Sequence, residues 1–130
     1  MSLPTDRKYT GEHEWIYMEA KKIASIGVTS YAVEQLGDIV HVELPEVGES
    51  FEAGASFGTI ESTKTVSDLY MPVAGTITEV NDDITKSLEA LQDDPFEEGW
   101  LVKVELNDPN AVEALMTPEA YEKFIKEQEG

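Results

Sequence analysis

Two turns with the same spacing divide the middle of the chain into short segments, and they limit the possible folds more than any other feature. Residues 45–48 and 72–75 both read Pro-x-x-Gly, and each turn follows an apolar residue, Leu44 or Met71. Proline and glycine interrupt helices and strands. The strand-forming segments around the turns are therefore short and evenly spaced, which predicts a small β-sandwich or β-barrel with a faint internal repeat.

Hydrophobic periodicity and capping residues predict the positions of the strands and helices. Alternating polar and apolar residues predict strands over residues 14–18, 22–28, 39–44, 56–61, 67–71, 76–80 and 100–106. Thr29 is a good N-cap for a short helix that ends at Gly37, and another short helix is expected around residues 87–91. Two helices, over residues 110–116 and from Pro118 to about residue 127, close the chain. We expect one domain over residues 1–130, with a core at 8–106 and a helical extension at 109–128.

The charge of the chain excludes several classes of partner. Its 27 acidic and 9 basic residues give a formal net charge of -18. Such a surface repels phosphate backbones and anionic lipids, so nucleic acid and membrane are not expected partners. It favours a monomer that docks against basic faces of other proteins. No apolar run is long enough to span a membrane and no presequence is visible, so we expect a cytoplasmic protein, or a mitochondrial-matrix protein whose presequence has been removed.

Known catalytic and metal-binding patterns do not account for the chain. There is no cysteine, and His13 and His41 lack a second ligand at metal spacing, so no metal site is expected. His41 is interpreted as a structural strand residue, whereas His13 could line a site. Residues 54–58 read Gly-x-Ser-x-Gly, but the residues that follow continue as a strand, so the nucleophile-elbow interpretation is rejected.

Lys64 is the residue that could carry chemistry. It is the only lysine or arginine between Lys22 and Lys86, and it lies at a predicted hairpin tip between Thr63 and Thr65. A hairpin tip projects a side chain away from the body, where a modifying enzyme can reach it. Acylation of the amine would create a long uncharged tether. An ordinary exposed lysine is the alternative, and the residues alone leave both interpretations open.

A resemblance to a known family extends over nearly the whole chain. In chain order, the similar segments are residues 8–10, 13–15, 24–29, 36–40, 44–48, 61–75 and 94–103. The most specific begins Glu61-Ser62-Thr63-Lys64-Thr65-Val66-Ser67-Asp68, which resembles Glu-Ser-Val-Lys-Ala-x-Ser-Asp, the lipoylation motif of glycine cleavage system H proteins. The order of the segments matches that family from about residue 8 to residue 125. Thr63 and Thr65 replace the more common Val and Ala, and Glu12 replaces a smaller polar residue.

The resemblance implies both a fold and a function. The fold would be mainly β with small α elements, a barrel-sandwich hybrid of the lipoyl/biotinyl type with an inserted short helix and C-terminal helices. The protein would not be an enzyme but a carrier, with lipoic acid in amide linkage to Lys64. It would shuttle the aminomethyl group of glycine from a pyridoxal-phosphate glycine decarboxylase to a tetrahydrofolate-dependent aminomethyltransferase. A FAD-containing dihydrolipoamide dehydrogenase would reoxidise the arm, and a lipoate ligase or lipoyltransferase would attach it.

The resemblance also implies roles for three carboxylates. Glu14 and Asp68 would line a cleft that shelters the loaded arm, and Glu61 would be recognised by the lipoylating enzyme. Three alternatives remain at this point. The chain could be an H-like protein that stores or relays lipoyl groups, a lipoyl or biotinyl domain of another complex, or an interaction module with an unmodified Lys64. Biotinyl domains centre on Met-Lys-Met, and acyltransferase lipoyl domains on Asp-Lys-Ala, so neither motif fits here.

Overall fold

The computed structural model describes residues 3–129. Within that range the strands are β1 Lys8–Tyr9, β2 Glu14–Met18, β3 Ile23–Val28, β4 Ile39–Glu43, β5 Ser50–Phe51, β6 Ser56–Ser62, β7 Val66–Tyr70, β8 Gly75–Val80 and β9 Val102–Leu106. The helices are α1 Ser30–Leu36, α2 Asp82–Lys86, α3 Glu89–Asp93, a 3-10 helix Pro109–Ala114 and α4 Pro118–Glu129. None of these helices is long and apolar enough to cross a membrane.

The strands form two antiparallel sheets with a shared apolar core. One sheet has six strands in the order β1-β2-β3-β9-β8-β5, and the other has three in the order β4-β6-β7. Both sheets contribute buried apolar side chains, among them Ile26, Val104, Ile60 and Leu69, to one hydrophobic cluster. Burial of this surface is the main stabilising contribution. The predicted strands are thus present, and short helices are attached to a mainly β body.

The paired Pro-x-x-Gly turns mark two segments that lie side by side. Gly48 adopts φ 97°, a left-handed conformation that side chains with a Cβ rarely adopt. The strands after the two turns, β5 and β8, pair with each other, with Ser50 opposite Thr76. The Gly48 N–H also donates to the carbonyl of Ile77 at 2.8 Å. The predicted repeat therefore corresponds to two neighbouring antiparallel segments of one sheet.

The inserted helix α1 begins and ends where the sequence predicts. The Thr29 hydroxyl accepts a hydrogen bond from Ala32 N, which satisfies one free helical donor. Gly37 ends the helix with φ 81°, and its N–H donates to the carbonyl of Val33. The buried face of α1 packs on the body of the protein. The helix end is thereby fixed beside the hairpin formed by β6 and β7.

The structure differs from the sequence prediction at two helices. The segment predicted as a helix over residues 110–116 is a short 3-10 helix, because Asp108 caps Asn110 and successive i→i+3 bonds close it. Helix α2 was missed because its sequence is polar around a single buried apolar residue, Ile84, and has no helical periodicity. The helix expected around residues 87–91 is present as α3, displaced by two residues.

Helix α4 is attached to the sheet through aromatic side chains. Tyr9 and Tyr121 stack with ring centroids 4.8 Å apart and an interplanar angle of 9°. Tyr9 also exchanges two backbone hydrogen bonds with Met116, each 2.9 Å long. Burial raises the pKa of Tyr9 to about 12. The C-terminal helix is therefore part of the same packed body as β1 and β2.

Candidate functional site

Lys64 is exposed at the tip of the β6–β7 hairpin. The last paired residues of the hairpin are Glu61 and Val66, so four residues form the turn. The buried Ser62 hydroxyl accepts hydrogen bonds from the backbone N–H groups of both Lys64 and Thr65, each at 3.2 Å. This side-chain cap explains how the turn forms without glycine. The predicted hairpin is present and directs the lysine outward.

The tip rests against a short segment that we call the strap, residues 37–39. The Thr63 N–H donates to the carbonyl of Asp38 at 3.0 Å, which ties the tip to the strap. The Lys64 side chain crosses Gly37, and a Cβ at that glycine would lie 3.4 Å from the lysine Cε. Glycine is therefore suited to this position both by its positive φ and by the close approach of Lys64.

A cleft of about 230 Å³ lies between the hairpin, β2 and α1. Its polar and apolar lining residues are Glu12, His13, Glu14, Val28, Ala32, Gln35, Leu36, Ile60, Thr65, Ser67, Asp68 and Leu69. The sequence-predicted residues Glu14 and Asp68 both line it. Glu61 does not: it is exposed on β6, opposite His41 and Val66 on the neighbouring strands.

Glu14 is a buried carboxyl group of the cleft with a strongly raised pKa. Its side chain is only 1% exposed, and Oε2 accepts a hydrogen bond from the Tyr70 N–H at 2.7 Å. Oε1 is buried and has no hydrogen-bond partner among the described residues. Burial raises the pKa of Glu14 to about 8, the hydrogen bond from Tyr70 opposes this, and the Glu12 carboxylate adds to it. Burial therefore favours the neutral form of Glu14, and Oε1 is the oxygen that faces the cleft without a partner.

Asp68 lies on the hairpin strand that leaves Lys64 and differs from Glu14 in being exposed. The Tyr70 hydroxyl donates to its Oδ2 at 3.4 Å. The Asp68 carboxylate raises the pKa of Tyr70 above its usual value. Glu14 and Asp68 therefore stand in different environments, one buried and the other in contact with solvent, with Tyr70 joined to both.

His13 also lines the cleft. It has φ 66°, the one positive φ of a non-glycine residue among residues 3–129. Its Nδ1 lies 2.9 Å from the Tyr121 hydroxyl, which in turn lies 2.7 Å from the Thr29 hydroxyl. Burial lowers the pKa of His13. The neutral ring thus connects the cleft to α4 and to the start of α1, and a strained backbone at such a site is typical of functional loops.

His41, which the sequence analysis interpreted as a structural strand residue, does not line the cleft. It lies in β4 as predicted, but its side chain is 58% exposed and approaches Glu43 at 4.0 Å. Its strand is at the edge of the three-stranded sheet, so its outward face meets solvent. Among residues 3–129, no group of three or more acidic or histidine side chains is arranged to hold a metal ion.

Sequence reasoning gave no indication of Gln92, whose amide contacts the strap from α3. A single glutamine in a polar segment carries no pattern that distinguishes it from solvated neighbours. Its partners are backbone atoms 53 and 55 residues away. Only the folded structure brings them together.

The arrangement fits a covalently attached arm. The Lys64 amine is exposed at a well-defined tip, and acylation there would displace no packed side chain. Beside it, the cleft combines apolar walls with the unpartnered Oε1 of Glu14 and the exposed carboxylate of Asp68. A buried acceptor without a partner favours a ligand that brings a donor or a positive charge. The cleft can therefore receive the amine end of a flexible chain tethered nearby.

The comparisons with known proteins point to one family. The family described as Glycine cleavage H-protein matches residues 7–128. The glycine cleavage system H protein of Bacillus subtilis is 50% identical over 127 residues, covering 98% of this chain and 99% of that protein. That of Anaeromyxobacter sp. is 47% identical over 129 residues, covering 99% and 100%. The crystal structure of a glycine cleavage system H protein from Mycobacterium marinum superposes with a TM-score of 0.84 at 42% identity, covering 98% of this chain and 100% of that one. The barrel-sandwich fold expected from the resemblance is thereby confirmed.

Proposed function

Because the chain belongs to the glycine cleavage H-protein family, we propose that it is the lipoyl carrier of a glycine cleavage system and that Lys64 bears the lipoyl group. The chain covers 100% of the Anaeromyxobacter relative and 99% of the Bacillus subtilis relative. The observation that carries it is the exposed Lys64 at a capped hairpin tip beside the cleft that contains Glu14.

The chain's own residues hold, present and shelter the arm. When attached, the lipoyl group supplies a disulfide that accepts the aminomethyl group of glycine and carries it to the next enzyme. Ser62 and the strap keep the Lys64 backbone in one arrangement, so the arm starts from a fixed point. Tethering raises the effective concentration of the cargo at each docked partner. The chain is not itself catalytic in this scheme, and the bond-making steps belong to the partners' cofactors.

Glu14 is suited to receive a cationic amine in the cleft. A positive charge close to a carboxyl group favours its ionised form. An arriving ammonium group would therefore lower the raised pKa of Glu14, release its proton, and gain an ion pair that excludes water. Asp68 would complete the pairing from the exposed side. Shelter of this kind would slow loss of the aminomethyl group between partners.

The partners follow from the same role. We propose four: a pyridoxal-phosphate glycine decarboxylase, a tetrahydrofolate-dependent aminomethyltransferase, a FAD-containing dihydrolipoamide dehydrogenase, and a lipoate ligase or lipoyltransferase. The last of these would recognise Glu61 near Lys64. The chain would meet them as a monomer in the cytoplasm. Its net charge of -18 would favour docking faces that are basic.

Reconstitution separates a glycine cleavage carrier from a protein that only relays lipoyl groups. The lipoylated chain is mixed with the decarboxylase, with the aminomethyltransferase and tetrahydrofolate, and with the dihydrolipoamide dehydrogenase and NAD+ to reoxidise the arm, and glycine-dependent release of carbon dioxide is measured. We expect turnover with the wild-type chain and none with Lys64→Arg, which keeps the charge but cannot be lipoylated at that site. A lipoylated wild-type chain that supports no turnover would contradict the glycine cleavage role.

A further inference from the structure

The side-chain amide of Gln92 makes two hydrogen bonds to the backbone of the strap. Gln92, on α3, donates from Nε2 to the carbonyl of Gly37 at 3.0 Å. Its Oε1 accepts from the N–H of Ile39 at 2.9 Å. A glutamine side chain offers donors on one atom and an acceptor on the other, and the strap meets both. Gln92 therefore fixes two successive peptide groups, one on each side of Asp38.

The strap passes this constraint on to the lysine. The carbonyl of Asp38, which belongs to the same peptide group as the Ile39 N–H that Gln92 binds, accepts the Thr63 N–H at 3.0 Å. Gly37 lies against the Lys64 side chain. Direct contacts thus connect α3 to the lysine: Gln92 contacts the strap, and the strap contacts Thr63 and Lys64. No residue of this path lines the cleft that contains Glu14.

We propose that Gln92 is a positioning residue for the lipoylation of Lys64, acting by bracing the strap that holds the hairpin tip. This inference rests on the proposed function. A lipoylating enzyme must accept the tip in one arrangement. A tip that samples several arrangements is competent for only a fraction of the time, and its apparent affinity falls by that fraction. Gln92 raises the competent fraction without touching the donor of the lipoyl group.

The reaction that Gln92 assists is an acyl transfer from an activated donor such as lipoyl-adenylate. The neutral Lys64 amine attacks the lipoyl carbonyl, an amide bond forms at Nζ, and the acyl–phosphate bond breaks. AMP leaves with the bonding electron pair, and one proton is released from the nitrogen. No oxidant or reductant takes part. The hydrogen bonds of the Gln92 side chain are made to the strap, so we expect their loss to change the apparent KM more than kcat.

The test compares lipoylation kinetics of three variants of the unmodified chain with a purified lipoylating enzyme and lipoyl-adenylate. Gln92→Leu removes both bonds to the strap, and we expect the apparent KM for the chain to rise about tenfold while kcat stays within about twofold. Gln92→Glu keeps an acceptor for Ile39 N but cannot donate to Gly37, so we expect an intermediate rise. Asp93→Ala changes an exposed neighbour on the same helix and should leave KM unchanged.

Amide hydrogen exchange supplies a readout that general destabilisation does not mimic. In Gln92→Leu, the N–H groups of Thr63 and Ile39 should exchange faster, whereas that of Val104 in the central strand β9 should keep its wild-type rate. If Gln92→Leu does not fold, Gln92→Glu decides the matter by the same two measurements. The inference would be overturned, and the proposed function left standing, by either of two results. One is a folded Gln92 variant with the wild-type KM. The other is a Gln92 variant that is less stable but in which the Thr63 N–H exchanges at the wild-type rate. A wild-type chain that is never lipoylated at Lys64 would instead contradict the proposed function and the inference with it.

Discussion

At the scale of single residues, Glu14 and Lys64 differ in their exposure to solvent, and their proposed roles differ accordingly. Lys64 projects from a tip into water, so its amine stays available to an enzyme. Glu14 is 1% exposed and lacks a partner for Oε1, so ionisation is costly until a positive charge arrives. The motif around Lys64 made its role predictable. The burial of Glu14 was not predictable, because a glutamate between His13 and Trp15 could equally face solvent.

The raised pKa of Glu14 predicts a dependence of stability on pH. In the unfolded chain Glu14 has the ordinary pKa of a glutamate, 4.5, whereas burial in the folded chain raises its pKa to about 8. Between these values the folded state binds more protons, so this group makes the free energy of unfolding fall as pH rises. Glu14→Gln, which stays neutral, should remove that fall, and the variant should gain a few kcal/mol relative to wild type between about pH 5 and about pH 9. Urea unfolding of both proteins across that range measures the difference. If the free energies of unfolding of wild type and Glu14→Gln change with pH in parallel, Glu14 is not a buried ionisable group.

The cleft carboxylates also predict how long the loaded carrier survives. Glu14→Ala and Asp68→Ala remove the proposed partners of the arm's amine, so each variant should lose the aminomethyl group, as formaldehyde and ammonia, severalfold faster than wild type. The decay of the loaded carrier with no other enzyme present is the measurement. Glu43→Ala, at an exposed acid on β4 outside the cleft, serves as the control. Equal decay rates in all four proteins would show that these carboxylates do not guard the cargo.

At the scale of elements, local rules predicted what local interactions decide. Helix α1 was predictable because Thr29 and Gly37 form its two caps, and α4 because Pro118 suits a first helical position. The 3-10 helix after Asp108 and the polar helix α2 were not predictable. The first differs from an α-helix only in its hydrogen-bond spacing, and the second is fixed by Ile84 reaching the core from a segment without periodicity. The brace from α3 to the strap depends on tertiary structure alone.

The hairpin tip predicts a measurable contribution of Ser62. Its hydroxyl caps two backbone N–H groups of the turn, and its side chain is buried. Ser62→Ala leaves those donors to water or to no partner, so the free energy of unfolding should fall by about 1–2 kcal/mol. Ser50→Ala, at an exposed serine of β5 that bonds Thr76, should cost less than about 0.5 kcal/mol. Equal costs in urea denaturation would contradict the cap.

At the scale of the whole molecule, charge and tethering work together. The carrier is a mainly β body with a net charge of -18, and one exposed lysine stands at the tip of its smaller sheet. A like-charged surface keeps carriers apart, while basic partner faces attract it. The charge was read directly from the sequence. The order of the strands was not, because pairing of β3 with β9 joins residues about eighty positions apart. The single-domain organisation with a helical extension stays a prediction.

The acidity of the carrier predicts docking that depends on salt. The apparent affinity of the lipoylated chain for the glycine decarboxylase should fall as sodium chloride rises from about 50 mM to about 300 mM, because exposed charges are screened over shorter distances. Trehalose at matched osmolality should leave the affinity unchanged. An affinity that is flat in salt would mean that the acidity serves solubility and does not steer docking.

The most direct test of the account is peptide mass spectrometry of the chain purified from its native source. We expect one lipoyl amide, located on Lys64, and no lipoyl group on the other lysines. The Lys64→Arg variant, expressed alongside, should fold and carry no lipoyl group, because position 64 is exposed and arginine also has a long flexible stem that can pass Gly37. A lipoyl group on another lysine, or a native protein whose Lys64 is unmodified, would contradict the assignment of Lys64 as the carrier residue.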